Sequence, residues 1–113
     1  MNEKKARLPY IEMTVGGKIY MLRLTALSAA RLEERLGISV YKALERCDEI
    51  RIAAELLYAL IESLKPEFTK QDAFAFIDDF ISEGGTVTSL NGLIAKALEN
   101  SGFFGQASPV PES

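Results

Sequence analysis

The chain has 113 residues, 48% hydrophobic and 26% charged, with a formal net charge of −3, one cysteine (Cys47) and no histidine. That length and composition fit one globular domain with its own core, and the acidic balance argues against nucleic-acid binding, which draws on a basic face. A single cysteine excludes an intramolecular disulfide and suits a reducing compartment. With neither a signal-peptide core nor the roughly 18 apolar residues of a membrane span, a cytoplasmic protein is expected.

Residues 1–8 read as a flexible arm with Lys4, Lys5 and Arg7 in solvent, ahead of a single domain over residues 9–104. From Pro9 to Leu24 the hydrophobic period is two, broken by Gly16-Gly17. Two glycines supply the positive φ angles of a tight hairpin turn, so Val15 should pair with Lys18, Met13 with Tyr20 and Ile11 with Leu22. This register gathers Ile11, Met13, Val15, Tyr20, Leu22 and Leu24 on a face that packs on the helices. Tyr10, Glu12, Thr14, Ile19, Met21 and Arg23 fall on the other. Both edges of such a ribbon are unpaired, which opens it to self-association or to strand addition by a partner.

Thr25 stands as N-cap of a helix from Ala26 to Leu36, with Ala29, Leu32 and Leu36 inward. Gly37 ends it in the left-handed conformation. Ser39 caps a short helix, Val40 to Arg46. The stretch Glu49 to Lys65, EIRIAAELLYALIESLK, is the central helix and stops at Pro66. Ile50, Ala53, Ala54, Leu57, Leu60, Ile61 and Leu64 lie at helical spacing; with Ile52, Leu56 and Ala59 the apolar arc widens to roughly 220°. Only Arg51, Glu55, Tyr58 and Glu62 form a polar stripe. A helix this apolar is either surrounded by its neighbours or keeps one side for a partner.

Thr69-Lys70-Gln71-Asp72 reads as a capping box opening a helix to about Glu83. Ala73, Phe74, Phe76, Ile77, Phe80 and Ile81 share its broad apolar face as a lid on the central helix. Thr86 or Thr88 caps a last helix to about Ser101, with Val87, Leu90, Leu93, Ile94, Ala97 and Leu98 inward. Gly102 ends it, Phe103-Phe104 fold back beyond the cap, and Gly105 to Ser113 form a flexible tail. The fold class is therefore α+β: a two-stranded antiparallel hairpin packed on four to five helices.

No catalytic, cofactor or metal site emerges. Asp78 and Asp79 are adjacent on a helix and diverge by about 100°, so they read as solvated charge. Glu83-Gly84-Gly85 reads as a turn, and Gly16-Gly17 lacks the helix N-terminus of a phosphate cradle. The serines and Cys47 have no histidine as a base. A helix-turn-helix through VYKALER (Val40 to Arg46) offers only two basic groups for DNA.

Taken in order, GGKIYMLRL (Gly16 to Leu24), LEERLG (Leu32 to Gly37), the apolar central helix, DDFISEGG (Asp78 to Gly85) and SGFF (Ser101 to Phe104) resemble the small tail assembly chaperones of long-tailed bacteriophages and prophages of Gram-positive hosts. The likeness spans about residues 9–104. It implies a non-catalytic assembly factor in the bacterial cytoplasm that binds the tape measure protein, keeps it soluble and promotes tail tube assembly. Such a factor is not expected in the mature virion. A frameshifted longer form, whose extra domain recruits the tail tube protein, is a further expectation of the family. A structural or adaptor protein of the tail is the alternative, and a DNA-binding regulator a more distant one.

The tape measure protein is expected to carry apolar helical stripes, which an apolar groove receives. Ile52, Leu56 and Ala59, with exposed members of Phe74, Phe76 and Phe103, are the candidates for that groove; complete burial in the core is the competing reading.

Overall fold

The computed structural model describes residues 10–103. Expectations for the arm, for Phe104 and for the C-terminal tail lie outside them. The described chain is α+β: strands β1 (Ile11–Val15) and β2 (Lys18–Leu22) precede helices α1 (Ala26–Leu36), α2 (Val40–Glu45), α3 (Ile50–Glu62), α4 (Lys70–Ser82) and α5 (Val87–Asn100).

β1 and β2 pair antiparallel in the expected register, from Val15 opposite Lys18 to Ile11 opposite Leu22. The turn forms because Gly16 and Gly17 take φ of 61° and 77°, a left-handed pair that side chains with a Cβ rarely adopt. The inner face buries Val15, Tyr20 and Leu22, with Leu24 just beyond. Three polar links fix where β2 hands over to the helices. The Arg23 N–H donates to Leu60 O at 2.8 Å, Ser63 Oγ donates to Arg23 O at 2.5 Å, and the Leu24 N–H donates to Ser101 Oγ at 2.9 Å.

The helices start and stop where the chemistry of their ends dictates. Thr25, Thr69 and Thr86 each accept from the amide three residues on, and Ser28, Asp72 and Ser89 return a bond to the cap, closing three capping boxes. Gly37, at φ 74°, ends α1.

α3 is the hub, packing against β2, α1, α2, α4 and α5. It ends at Glu62 rather than continuing to Lys65, because the next amides bond in tight turns: Leu64 N–H reaches Ile61 O at 3.1 Å ahead of Pro66. Ile50 and Leu64, expected inside, are exposed, since they lie at or beyond the two ends of the helix. On α4 the broad apolar face is used only in part. Ala73, Phe76 and Ile77 are buried, whereas Phe74 and Ile81 at its flanks are exposed. The Tyr20 ring meets Phe68 and Phe76 edge-on at 5.9 and 5.0 Å, and Phe80 stacks on Phe76 at 6.4 Å. These contacts tie the hairpin to the α3–α4 connection.

Candidate partner surfaces

Four of the six groove candidates belong to the interior. Ile52, Leu56, Ala59 and Phe76 are at most 1% exposed. The 220° arc of α3 is consumed by five neighbouring elements, so no open groove remains along it. Phe74 and Phe103 are the two that reach solvent, at 43% and 39%, and they stand on different parts of the fold.

Phe74 leans over the first half of α3, where with Arg51, Ala54, Glu55 and Lys70 it lines a shallow hollow of about 30 Å³. The rim of that hollow is ordered by charge. Glu55 accepts from Arg35 at 2.9 Å and pairs with Lys70 at 3.3 Å, while the Arg35 guanidinium lies 5.0 Å from the Tyr58 ring centroid. Ile81, seven residues after Phe74 and so on the same side of α4, is also exposed. Phe103 follows Gly102 at φ 91°, and its N–H reaches back to Leu98 O at 3.3 Å.

A second concavity lies under the hairpin. Lys18 and Tyr20 of β2, Lys65 and Phe68 of the α3–α4 connection, and Asp72, Ala75 and Asp79 of α4 enclose about 110 Å³. Lys65 Nζ sits 5.8 Å from the Tyr20 ring centroid. Burial, followed by the negative fields of Asp79 and Asp72, pushes the Tyr20 phenol above its usual range. Asp72 goes the other way: the Thr69 N–H donates to its carboxylate at 2.9 Å and holds it below the usual aspartate range. A wider cleft of about 210 Å³ separates the start of α1 from the end of α3, lined by Thr25, Leu27, Ser28, Arg31, Glu62, Ser63 and Pro66.

Several residues prove to hold the fold together. Glu83 accepts from the Gly16 N–H at 2.7 Å, clamping the hairpin turn to the end of α4. Asp79 stands so close to Gly16 that a Cβ there would meet its carboxylate. The hairpin turn needs an acceptor for an outward N–H, a signal visible in the sequence, but nothing there places it beside Glu83. Cys47 is buried, and burial raises its thiol pKa, which keeps it protonated and unreactive. On VYKALER, Lys42 pairs with Glu45 at 3.6 Å and Arg46 with Glu49 at 2.8 Å, so both basic groups face carboxylates.

Among the described residues no group of three or more His, Cys, Asp or Glu is placed to hold a metal ion, and no helix is long and apolar enough to cross a membrane. Comparison with protein-family models, curated proteins and solved structures returned no match.

Proposed function

We propose that this chain is a tail assembly chaperone that binds the tape measure protein, keeps it soluble and promotes tail tube assembly without catalysis. The observation that carries the reading is the order of sequence signatures along one domain: GGKIYMLRL, LEERLG, the apolar central helix, DDFISEGG and SGFF. With α3 enclosed, the partner surface in this reading moves to the rim. Phe74 and Ile81 on α4 offer apolar contact beside the Arg35–Glu55–Lys70 charges, and Phe103 offers a separate anchor. Exposed aromatics next to ordered charges suit an amphipathic helix, whose apolar stripe is flanked by polar residues.

The test is co-expression with the longest open reading frame downstream in the same genome, followed by affinity capture and size-exclusion chromatography. A soluble complex of several copies on one long helical protein is the expected result. A long protein that stays insoluble and unbound would overturn the reading. Mass spectrometry of purified particles separates the chaperone from a structural tail protein, since the chaperone is absent from finished tails.

A further inference from the structure

The free edge of β2 carries an inference that does not depend on the chaperone reading. In a hairpin with a two-residue turn, the pair closing the turn is hydrogen-bonded and the pairs then alternate. Val15–Lys18, Met13–Tyr20 and Ile11–Leu22 therefore exchange their bonds within the ribbon. The main-chain groups of Ile19 and Met21 point away from it on the β2 edge, and those of Glu12 and Thr14 on the β1 edge. Among the described residues, none of these outward groups has a backbone partner outside the ribbon.

The two edges are not equivalent. Glu12 and Thr14 place a charge and a hydroxyl beside the β1 edge, and charge on an edge discourages pairing. The β2 edge has Ile19 and Met21 above it, 62% and 40% exposed. Below it lies the trough walled by Asp72 and Asp79 on α4, with Lys18 and Lys65 on its near side. A strand laid along this edge would set alternate side chains on the apolar outer face and in the trough. It should therefore alternate aliphatic with charged residues, the cations reaching Asp72 and Asp79.

Residues 3–8 of this chain, Glu-Lys-Lys-Ala-Arg-Leu, have that alternation: Ala6 and Leu8 in one set, Glu3, Lys5 and Arg7 in the other, ended by Pro9, which has no N–H to continue a ladder. We propose that residues 3–8 of a second copy add to β2 as a third strand. Ala6 and Leu8 then lie beside Ile19 and Met21, Lys5 and Arg7 face Asp79 and Asp72, and Glu3 faces Lys18 or Lys65. A chain's own arm joins β1, on the far side of β2, and would have to run parallel to β2 to reach its free edge. Parallel neighbours need a crossover of about a dozen residues, and the exit of β2 is already held by the Arg23–Leu60 bond. A second copy meets no such restriction.

Amide hydrogen exchange on the full chain, at micromolar and millimolar concentration, tests this together with sedimentation. At high concentration the Ile19 and Met21 amides should slow by about tenfold or more as an oligomer forms. Ala6→Pro should abolish both effects while the inner-ladder amides of Tyr20 and Leu22 stay protected, showing that the hairpin is intact. Arg7→Glu should weaken the association. The proposal is overturned if Ile19 and Met21 exchange as fast as Glu12 and Thr14 at every concentration, if their protection ignores concentration, or if it survives Ala6→Pro. The second of these would assign the edge to the chain's own arm, and the third to a different strand.

Discussion

α3 and α4 are both 13 residues long and both rich in apolar side chains, yet they serve the fold differently. α3 buries eight residues and has no side-chain cap at Glu49; α4 buries three and opens with a complete capping box. Packing on five elements is enough to hold α3 helical, whereas α4, with solvent along one side, gains from satisfied amides at its start. The same difference separates core from surface: an apolar residue on α3 is interior, and one at the flank of α4 remains open to a partner.

The largest effects should come from the phenylalanines of α4, which divide on this line. Phe76→Ala should destabilise by about 3–5 kcal/mol, a large share of the roughly 5–15 kcal/mol available to a domain. Phe74→Ala, two residues away, should change stability by less than about 1 kcal/mol. Urea denaturation distinguishes them, and equal losses would break the comparison. On α3, Leu56→Ala should cost about 2–5 kcal/mol. Leu56 is fully buried, so a small change there would mean that α3 keeps an open side after all.

Smaller effects sharpen the contrast. A Cβ on Gly85 would come within 2.3 Å of the Phe80 ring, so Gly85→Ala should lower stability by about 1–3 kcal/mol as the ring is displaced. Thr69→Ala removes the α4 cap and should cost about 1 kcal/mol, with a lesser change from Glu49→Ala at the corresponding position of α3. Gly92 is an interior α5 residue with open space where a Cβ would stand, and Gly92→Ala should raise stability by about 0.5–1 kcal/mol. The Asp72 carboxyl, followed by carbon NMR, should titrate below the ordinary 3.8. Its folded value is depressed, so its contribution is present above the ordinary range and lost as pH falls through the lowered value.

Much of this architecture was legible because it is written locally. Gly16-Gly17 dictated the turn and its register, Thr25, Ser39 and Thr69 dictated where helices begin, and Gly37 and Gly102 dictated where two of them end. Thr86 was legible only as one of two candidates, since Thr88 had equal chemistry until Ser89 completed the box with Thr86. What local chemistry could not give was the width of the contact made by each apolar face. Periodicity places Phe74, Ile81 and Ile50 on apolar arcs, but which part of an arc is covered depends on where neighbouring helices cross. For the same reason the arc on α3 was compatible with a groove, and only the packing of five elements around it placed Ile52, Leu56 and Ala59 inside. Glu83 was hidden by distance along the chain, being 67 residues from the Gly16 amide that it accepts.

The most direct test of the division between enclosed α3 and open α4 is capture of the co-expressed long helical protein by a Phe74→Asp variant, with its thermal unfolding recorded in parallel. The account predicts a melting temperature close to that of the unaltered chain and loss of the complex. A folded Phe74→Asp variant that still captures the long protein as the unaltered chain does would contradict it and remove α4 from the partner surface.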